Sequence, residues 1–324
     1  MQTPSMLLEK FETVLQHVNY PTRPEGLYEP IQYVLSAGGK RLRPVLVLLG
    51  YHLYCDDVEK ALPAALALET YHNHTLLHDD LMDRADMRRG RATVHKKWDD
   101  NTAVLSGDTM LIMAFQHMLE CDCERKDDLL KLFARSMQEI CEGQQYDVNF
   151  EHRNDVREEE YIEMIRLKTS VLLACSITTG ALVANASKED TEALYGFGEK
   201  IGLAFQLQDD YLDVYGDPKV FGKKIGGDIL CGKKTYMLIN AFNRAEGATK
   251  ERLFNLINDK EMDPAEKIKA VTGIYNDLKI AELCQEKINS CYDEAKEYLN
   301  RLSVSDEKKQ VLWDFAASLL GRNN

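Results

Sequence analysis

Proline is scarce in this chain, and where it falls excludes most architectures. None of the eight prolines lies between Pro63 and Pro218, a stretch of 154 residues. Glycine adds 19 residues, so the two turn formers stay below their usual share of about 12%. A sheet-rich or loop-rich fold needs more punctuation than that. Long apolar runs are missing too: none approaches the roughly 20 residues that span a bilayer. Residues 1–10 lack the basic start and apolar core of a signal peptide, so a cytoplasmic protein is expected. Eight cysteines in 324 residues are too few for a disulfide scaffold. The close pair Cys121 and Cys123 has no second Cys or His pair at zinc spacing. Basic residues are in deficit, 40 against 53 acidic, for a net charge of −13. A field of that sign disfavours nucleic acid and anionic lipid except at a local basic patch.

What is present is helical periodicity. Cys284, Ile288, Cys291, Ala295, Tyr298 and Leu302 step by three and four, which marks one buried stripe. Leu129, Leu132, Phe133, Ser136, Met137, Ile140 and Cys141 repeat the pattern in mid-chain. Loops are expected at Pro21–Pro30, Gly38–Gly39, Arg88–Lys97, Gly216–Gly232 and Asp259–Pro264. No low-complexity tract or linker interrupts the chain. The expectation is one all-α domain over residues 1–324, a single large bundle of about ten or more helices.

Two segments carry chemistry. Asp79-Asp80-Leu81-Met82-Asp83 and Asp209-Asp210-Tyr211-Leu212-Asp213 share the pattern Asp-Asp-x-x-Asp, and each follows an apolar run. On a helix the first and last aspartates stand at i and i+4, on one face. Like charges so placed repel, and a hard divalent cation turns that repulsion into a site. An acidic cluster is ordinarily a solvated face, but a solvated face is not embedded in Leu and Phe, nor repeated. Other metal readings fit worse. Asp79–Gly90 lacks the alternation of a calcium loop, and His74-x-x-x-His78 has Thr75 where a zinc protease carries Glu. Glu69-x-x-His72 has no second copy to complete a di-iron site. Oxygen ligands from six aspartates suit magnesium.

Cations and glycines accompany both motifs. Gly38-Gly39-Lys40-Arg41-Leu42-Arg43-Pro44 opens a helix, Arg88-Arg89-Gly90-Arg91 follows the first motif, and Phe221-Gly222-Lys223-Lys224 and Gly232-Lys233-Lys234-Thr235 follow the second. A carboxylate 4 Å from a phosphate charge costs about 4 kcal/mol at an effective dielectric near 20. Aspartates therefore expel a diphosphate unless divalent cations lie between them, with Lys and Arg on its far side. The chemistry this suits is departure or transfer of a diphosphate.

These segments, with Gly107-Asp108, Lys168-Thr169 and Phe205-Gln206 in the same order, resemble the trans-prenyl diphosphate synthases. The resemblance runs from about Gly38 to Thr235 and more weakly to the C-terminus. It implies an all-α bundle of isoprenoid synthase type with a central active-site cavity, and a homodimer. It implies three Mg2+ ions on an allylic diphosphate, held principally by Asp79, Asp83 and Asp209 and supported by Asp80, Asp210 and Asp213. Arg88, Lys168, Lys223 and Lys233 would hold that diphosphate, and Lys40, Arg43, His72 and Arg89, with Arg41 beside them, the isopentenyl diphosphate. Thr169, Gln206 and the main chain near Lys168 would face the developing allylic cation, and Arg322 resembles a C-terminal Arg that closes over the site.

Product length should follow from what lies below Asp79, because one helical turn, about 5.4 Å, approximates one isoprene unit. Thr75 lies one turn down and Tyr71 two. His74 takes the place where the resemblance puts the size gate. His74 with Tyr71 behind it implies an early floor and a farnesyl or geranylgeranyl product. The first motif also lacks the two-residue insertion of many bacterial farnesyl synthases, which leans toward geranylgeranyl. Met237 departs from the Pro that often follows the Gly-Lys-x-Thr stretch. A class I terpene cyclase remains an alternative, although its second motif mixes Asn, Ser and Glu and it has no isopentenyl pocket. A catalytically silent partner subunit is the other, although every expected aspartate and cation stands.

Overall fold

The computed structural model describes residues 2–217 and 225–320. Their regular structure is helical apart from one two-stranded hairpin, β1 (Met87–Arg88) with β2 (Arg91–Ala92). The chain divides into two compact units. The first comprises Met1–Ala134, Cys175–Glu192 and Ser303–Lys308; the second comprises Arg135–Ala174, Ala193–Leu302 and Lys309–Asn324.

The first unit is built around one helix. The helices in its N-terminal segment are α1 (Pro4–Gln16), α2 (Glu25–Leu35), α3 (Leu42–His52), α4 (Leu62–Met82), α5 (Val94–Lys97) and α6 (Asp100–Leu119). Residues Ala64 to Tyr71 of α4 are buried without a break, so this helix has no wet face and occupies the centre. α3 and α6 pack on it. α2 begins inside the expected Pro21–Pro30 loop: Pro24 is its N-cap, and Pro30 is accommodated as a buried residue of the helix.

The second unit centres on the later part of α7 (Lys126–Glu151), on α8 (Glu158–Ile165), and on the later part of α10 (Lys188–Tyr215). A π turn, Arg166–Ser170, links α8 to α9 (Val171–Val183). Next come α11 (Gly227–Cys231), α12 (Tyr236–Arg244), α13 (Gly247–Asn258), α14 (Pro264–Asp277) and α15 (Ile280–Asn300), with α16 (Asp306–Leu320) last. The α15 stripe is buried at Cys284, Ile288, Cys291, Ala295 and Leu302, but Leu299 takes the place expected for Tyr298. Tyr298 lies over Gly196, where a Cβ would come within 2.4 Å of its ring. The segment Glu158–Val183 is long and apolar enough to cross a membrane, yet 83% of its most apolar window is buried in the protein, which marks a core helix.

Candidate active site

Each aspartate motif stands at the C-terminal end of a helix, where the unpaired carbonyls carry partial negative charge. Carboxylates there are doubly disfavoured, so each motif has to be neutralised by cations. The first closes α4. Asp83 is the C-cap, and Arg84 adopts a left-handed φ of 54°. The Ala85 N–H bonds the Asp80 carbonyl at 3.0 Å and the Arg84 N–H that of Leu81 at 3.3 Å, a Schellman termination. Asp79 is half-buried and Asp83 exposed, while Asp80 is buried and accepts from Arg88 Nε at 2.7 Å. Burial pushes the Asp80 carboxyl above its ordinary range, with Arg88 opposing.

The hairpin supplies the cations opposite. Arg89 and Gly90 both have positive φ, 50° and 75°, the geometry of a two-residue turn that follows the twist of the strands. Arg89 reaches back to donate to the Gly38 carbonyl and, at 3.4 Å, to Asn73 Oδ1. Gly39 has φ 142°, and a Cβ there would stand 2.9 Å from the Arg89 guanidinium carbon, so only glycine fits. Arg43 donates to His72 Nε2 at 3.2 Å. Arginine can only donate, so the His72 proton sits on Nδ1. Burial and then the surrounding Arg43, Arg89, Arg88 and Arg41 hold His72 well below its ordinary pKa. Arg43 Nε is buried without a partner, an orphan donor that a phosphate oxygen would satisfy. Lys40 is exposed beside this cluster in sequence.

Arg41 departs from expectation. Its side chain is only 2% exposed, with Nε on Glu12 at 2.8 Å, one Nη on Glu69 at 2.6 Å and the other on the Leu35 carbonyl at 2.8 Å. It is a buried strut and presents nothing to a phosphate. Glu69, equally buried, accepts Asn73 Nδ2 at 2.9 Å. One chain of bonds therefore runs Glu12–Arg41–Glu69–Asn73–Arg89–Gly38.

Below Asp79, Thr75 is half-buried with its hydroxyl on the His72 carbonyl at 2.8 Å. His74 is buried, its Nδ1 2.9 Å from the Gly107 carbonyl. Burial, then His78, brings its pKa down to about 4, and it is neutral. Its ring lies 5.4 Å from that of Tyr71, which meets Phe133 edge-on at 6.1 Å.

In the second unit the motif closes α10. Asp209 is half-buried. Asp210 is buried and accepts from Tyr161 Oη and from Gln206 Nε2, the latter at 3.1 Å. Burial pushes its carboxyl up to about 7 against the pull of Lys233. Asp213 accepts the Asp228 N–H at 3.0 Å and fixes the start of α11. Lys233, half-exposed, stands 3.8 Å from Asp228. In the π turn, Lys168 Nζ lies 2.6 Å from Asp147, and Thr169 donates to Gln206 Oε1 at 3.0 Å. The π turn fits because Gly143 and Gly202 leave room for its backbone: Cβ atoms there would come within 2.4 Å of Lys168 N and 2.5 Å of Ser170 Cα. π turns release backbone carbonyls from helical pairing and recur at functional sites. Lys223 and Arg322 lie outside the described residues.

The aspartates thus sort themselves. Asp80, Asp210 and Asp213 are buried and accept from protein donors, and Asp79, Asp83 and Asp209 are the three more accessible carboxylates. Among the described residues no three His, Cys, Asp or Glu side chains form a ready-made cage. That donor set fits magnesium, which keeps waters and substrate phosphates and binds through one or two carboxylates. Sequence reading weighs Glu69 only as half of a di-iron motif and passes over Asn73, Asp147, Tyr161 and Asp228; Gly143, inside a helix, is the one local sign of the close approach of Lys168.

An all-helical fold whose aspartate motifs are neutralised by arginine and lysine defines a protein that handles diphosphates. The polyprenyl synthetase family matches residues 24–275, and the chain belongs to that family and is a prenyl diphosphate synthase. It is 38% identical over 317 residues to the short chain isoprenyl diphosphate synthase of Methanocaldococcus jannaschii, covering 98% of this chain and 94% of that protein. It is 37% identical over 319 residues to a geranylfarnesyl diphosphate synthase of Natronomonas pharaonis, covering 93% and 91%. A crystal structure of a geranylgeranyl pyrophosphate synthase superposes with a TM-score of 0.95 at 42% identity, covering all of both chains.

Proposed function

We propose that the chain joins isopentenyl diphosphate to an allylic diphosphate (dimethylallyl, geranyl or farnesyl) and stops at farnesyl or geranylgeranyl diphosphate. The observation that carries the reading is the second anion pocket. Arg43 with its unpartnered Nε, His72 with its proton on Nδ1, and Arg89 form a set of donors beyond the Arg88–Asp80 pair. A cyclase has no use for such a pocket; an elongating enzyme binds two diphosphates.

Asp79, Asp83 and Asp209 would hold Mg2+, three ions in all, whose charge stabilises the departing diphosphate when bound. Arg88, Lys168, Lys223 and Lys233 clamp that group. Asp147 and Asp80 keep Lys168 and Arg88 extended until a stronger anion takes their place. The allylic cation left behind faces the Thr169 and Gln206 oxygens and the carbonyls of the π turn. The double bond held at Lys40, Arg43, His72 and Arg89 attacks it, and a proton leaves to the released diphosphate. No side-chain nucleophile is required.

Growth ends where the tail meets His74 and then Tyr71, with Thr75 at the first turn. A relative 37% identical carries geranylfarnesyl in its name, and the reading therefore assigns length to this floor and not to the scaffold. A second copy of the chain is the partner that suits α6, whose exposed Leu105, Ile112 and Leu119 repeat every seven residues along one face. A cytoplasmic location belongs to the same reading.

The test is incorporation of labelled isopentenyl diphosphate with dimethylallyl diphosphate as primer. EDTA should abolish it, and Asp79→Ala should lower it at least a hundredfold. Release of a hydrocarbon without isopentenyl uptake would instead establish a cyclase, and no turnover with any primer would establish a silent subunit.

A further inference from the structure

The geometry points to Tyr161 as a positioning residue that sets which way the Thr169–Gln206 pair is polarised. The inference rests on the synthase reading above and deepens it. Tyr161 is 1% exposed, and its hydroxyl donates to Asp210. Asp210 takes that O–H on Oδ2 and the Gln206 amide N–H on Oδ1. With its nitrogen committed to Asp210, Gln206 turns its carbonyl oxygen to Thr169 and accepts the hydroxyl proton at 3.0 Å.

The sign of this relay matters. Thr169 spends its proton on Gln206, so its remaining lone pairs are available on the other side. Flipping the Gln206 amide would point N–H at Thr169 and turn the threonine proton outward. A cation forming beside the pair would then meet positive dipole ends instead of negative ones. The amide flips only if Asp210 no longer accepts from Gln206 Nε2. A buried carboxylate deprived of Tyr161 would rotate to seek other donors, and the backbone of the relay would go with it. Tyr161 touches neither diphosphate nor metal in this account. It acts through Asp210 on two residues that face the reacting carbon.

The experiment compares wild type, Tyr161→Phe, Tyr161→His, Gln206→Leu and the Phe/Leu double variant in single-turnover and steady-state condensation. Tyr161→Phe should lower kcat about tenfold, the weight of one charge-assisted hydrogen bond, with KM for isopentenyl diphosphate within twofold. Tyr161→His, which still donates, should recover most of the loss. In the Gln206→Leu background Tyr161→Phe should cost less than twofold, because the relay is already cut. Calorimetric binding of Mg2+ with inorganic diphosphate should be unchanged in Tyr161→Phe. Additive losses in the double variant, a kcat equal to wild type, or a tenfold weaker Mg2+–diphosphate binding would each overturn the assignment. Tyr161→Met serves as the donor-free variant if Tyr161→Phe does not fold. An inactive wild type would overturn the synthase reading and this inference together; an active wild type with an indifferent Tyr161 overturns only the inference.

Discussion

Replacing Glu69 by Ala should separate what holds the protein together from what holds its substrate. Glu69 and Arg41 form an ion pair at 2.6 Å in which both side chains are 2% exposed. Removing one partner of such a pair leaves a buried charge and typically costs about 3–5 kcal/mol. Glu12 remains on Arg41 but is one-third exposed, so the lower end of that range, about 3 kcal/mol, is expected. For a unit of this size that corresponds to a melting temperature lower by roughly 6–12 °C. The same substitution removes the carboxylate acceptor of Asn73 Nδ2 and leaves only its bond to the Glu69 backbone carbonyl at 2.8 Å, and Asn73 steadies Arg89. KM for isopentenyl diphosphate should therefore rise about tenfold, one hydrogen bond's worth, while the allylic KM stays put. The double variant Arg41→Met/Glu69→Leu removes both charges and should recover most of the stability but none of the KM, because Asn73 still lacks the Glu69 carboxylate. Scanning calorimetry and initial-rate kinetics read both effects. A Glu69→Ala protein melting within 2 °C of wild type, or a double variant with normal KM, would refute the reasoning.

Three further outcomes follow from the same geometry. His74→Ala removes the ring beneath Asp79 and should add about one isoprene unit to the product, since a helical turn is about 5.4 Å; chromatography of the dephosphorylated alcohols reads it. Gly39→Ala forces a Cβ against Arg89 at a φ of 142° and should raise KM for isopentenyl diphosphate about tenfold with kcat little changed. Because the Asp210 carboxyl is pushed up to about 7 by burial, the folded metal-free protein binds more protons than the unfolded chain between the ordinary carboxylate range and pH 7. Its stability should fall as pH rises through that window and level off above it. Asp210→Asn should flatten the slope in denaturant titrations of EDTA-treated protein.

The helical fold was legible because its signals are local. The Cys284–Ile288–Cys291–Ala295 stripe is buried as its spacing requires, whereas Tyr298, one residue from the true position, shows that an amphipathic ring can imitate a core residue at the edge of a stripe. Cys141 was read into the α7 stripe and is exposed, because a thiol counts as apolar in any pattern. The aspartate and arginine motifs were legible as chemistry, since each places like charges side by side. What escaped were distant partners that belong to no motif. Arg41 meets Glu69 across 28 residues, Lys168 meets Asp147 across 21, and Tyr161 meets Asp210 across 49. Arg41 resembles its neighbours Lys40 and Arg43 in sequence and differs from them through its left-handed φ of 47° and the two carboxylates it meets, buried Glu69 and part-buried Glu12. The hairpin of Arg89 and Gly90 and the π turn at Lys168 are likewise invisible to periodicity, being departures from it.

The measurement closest to the central claim is the chain length of the product formed from labelled isopentenyl diphosphate and dimethylallyl diphosphate with magnesium. A floor of His74 and Tyr71 below the aspartates requires fifteen- or twenty-carbon diphosphates and nothing beyond. A distribution centred on thirty carbons or more would contradict that floor, and hydrocarbon release without isopentenyl consumption would contradict the synthase itself.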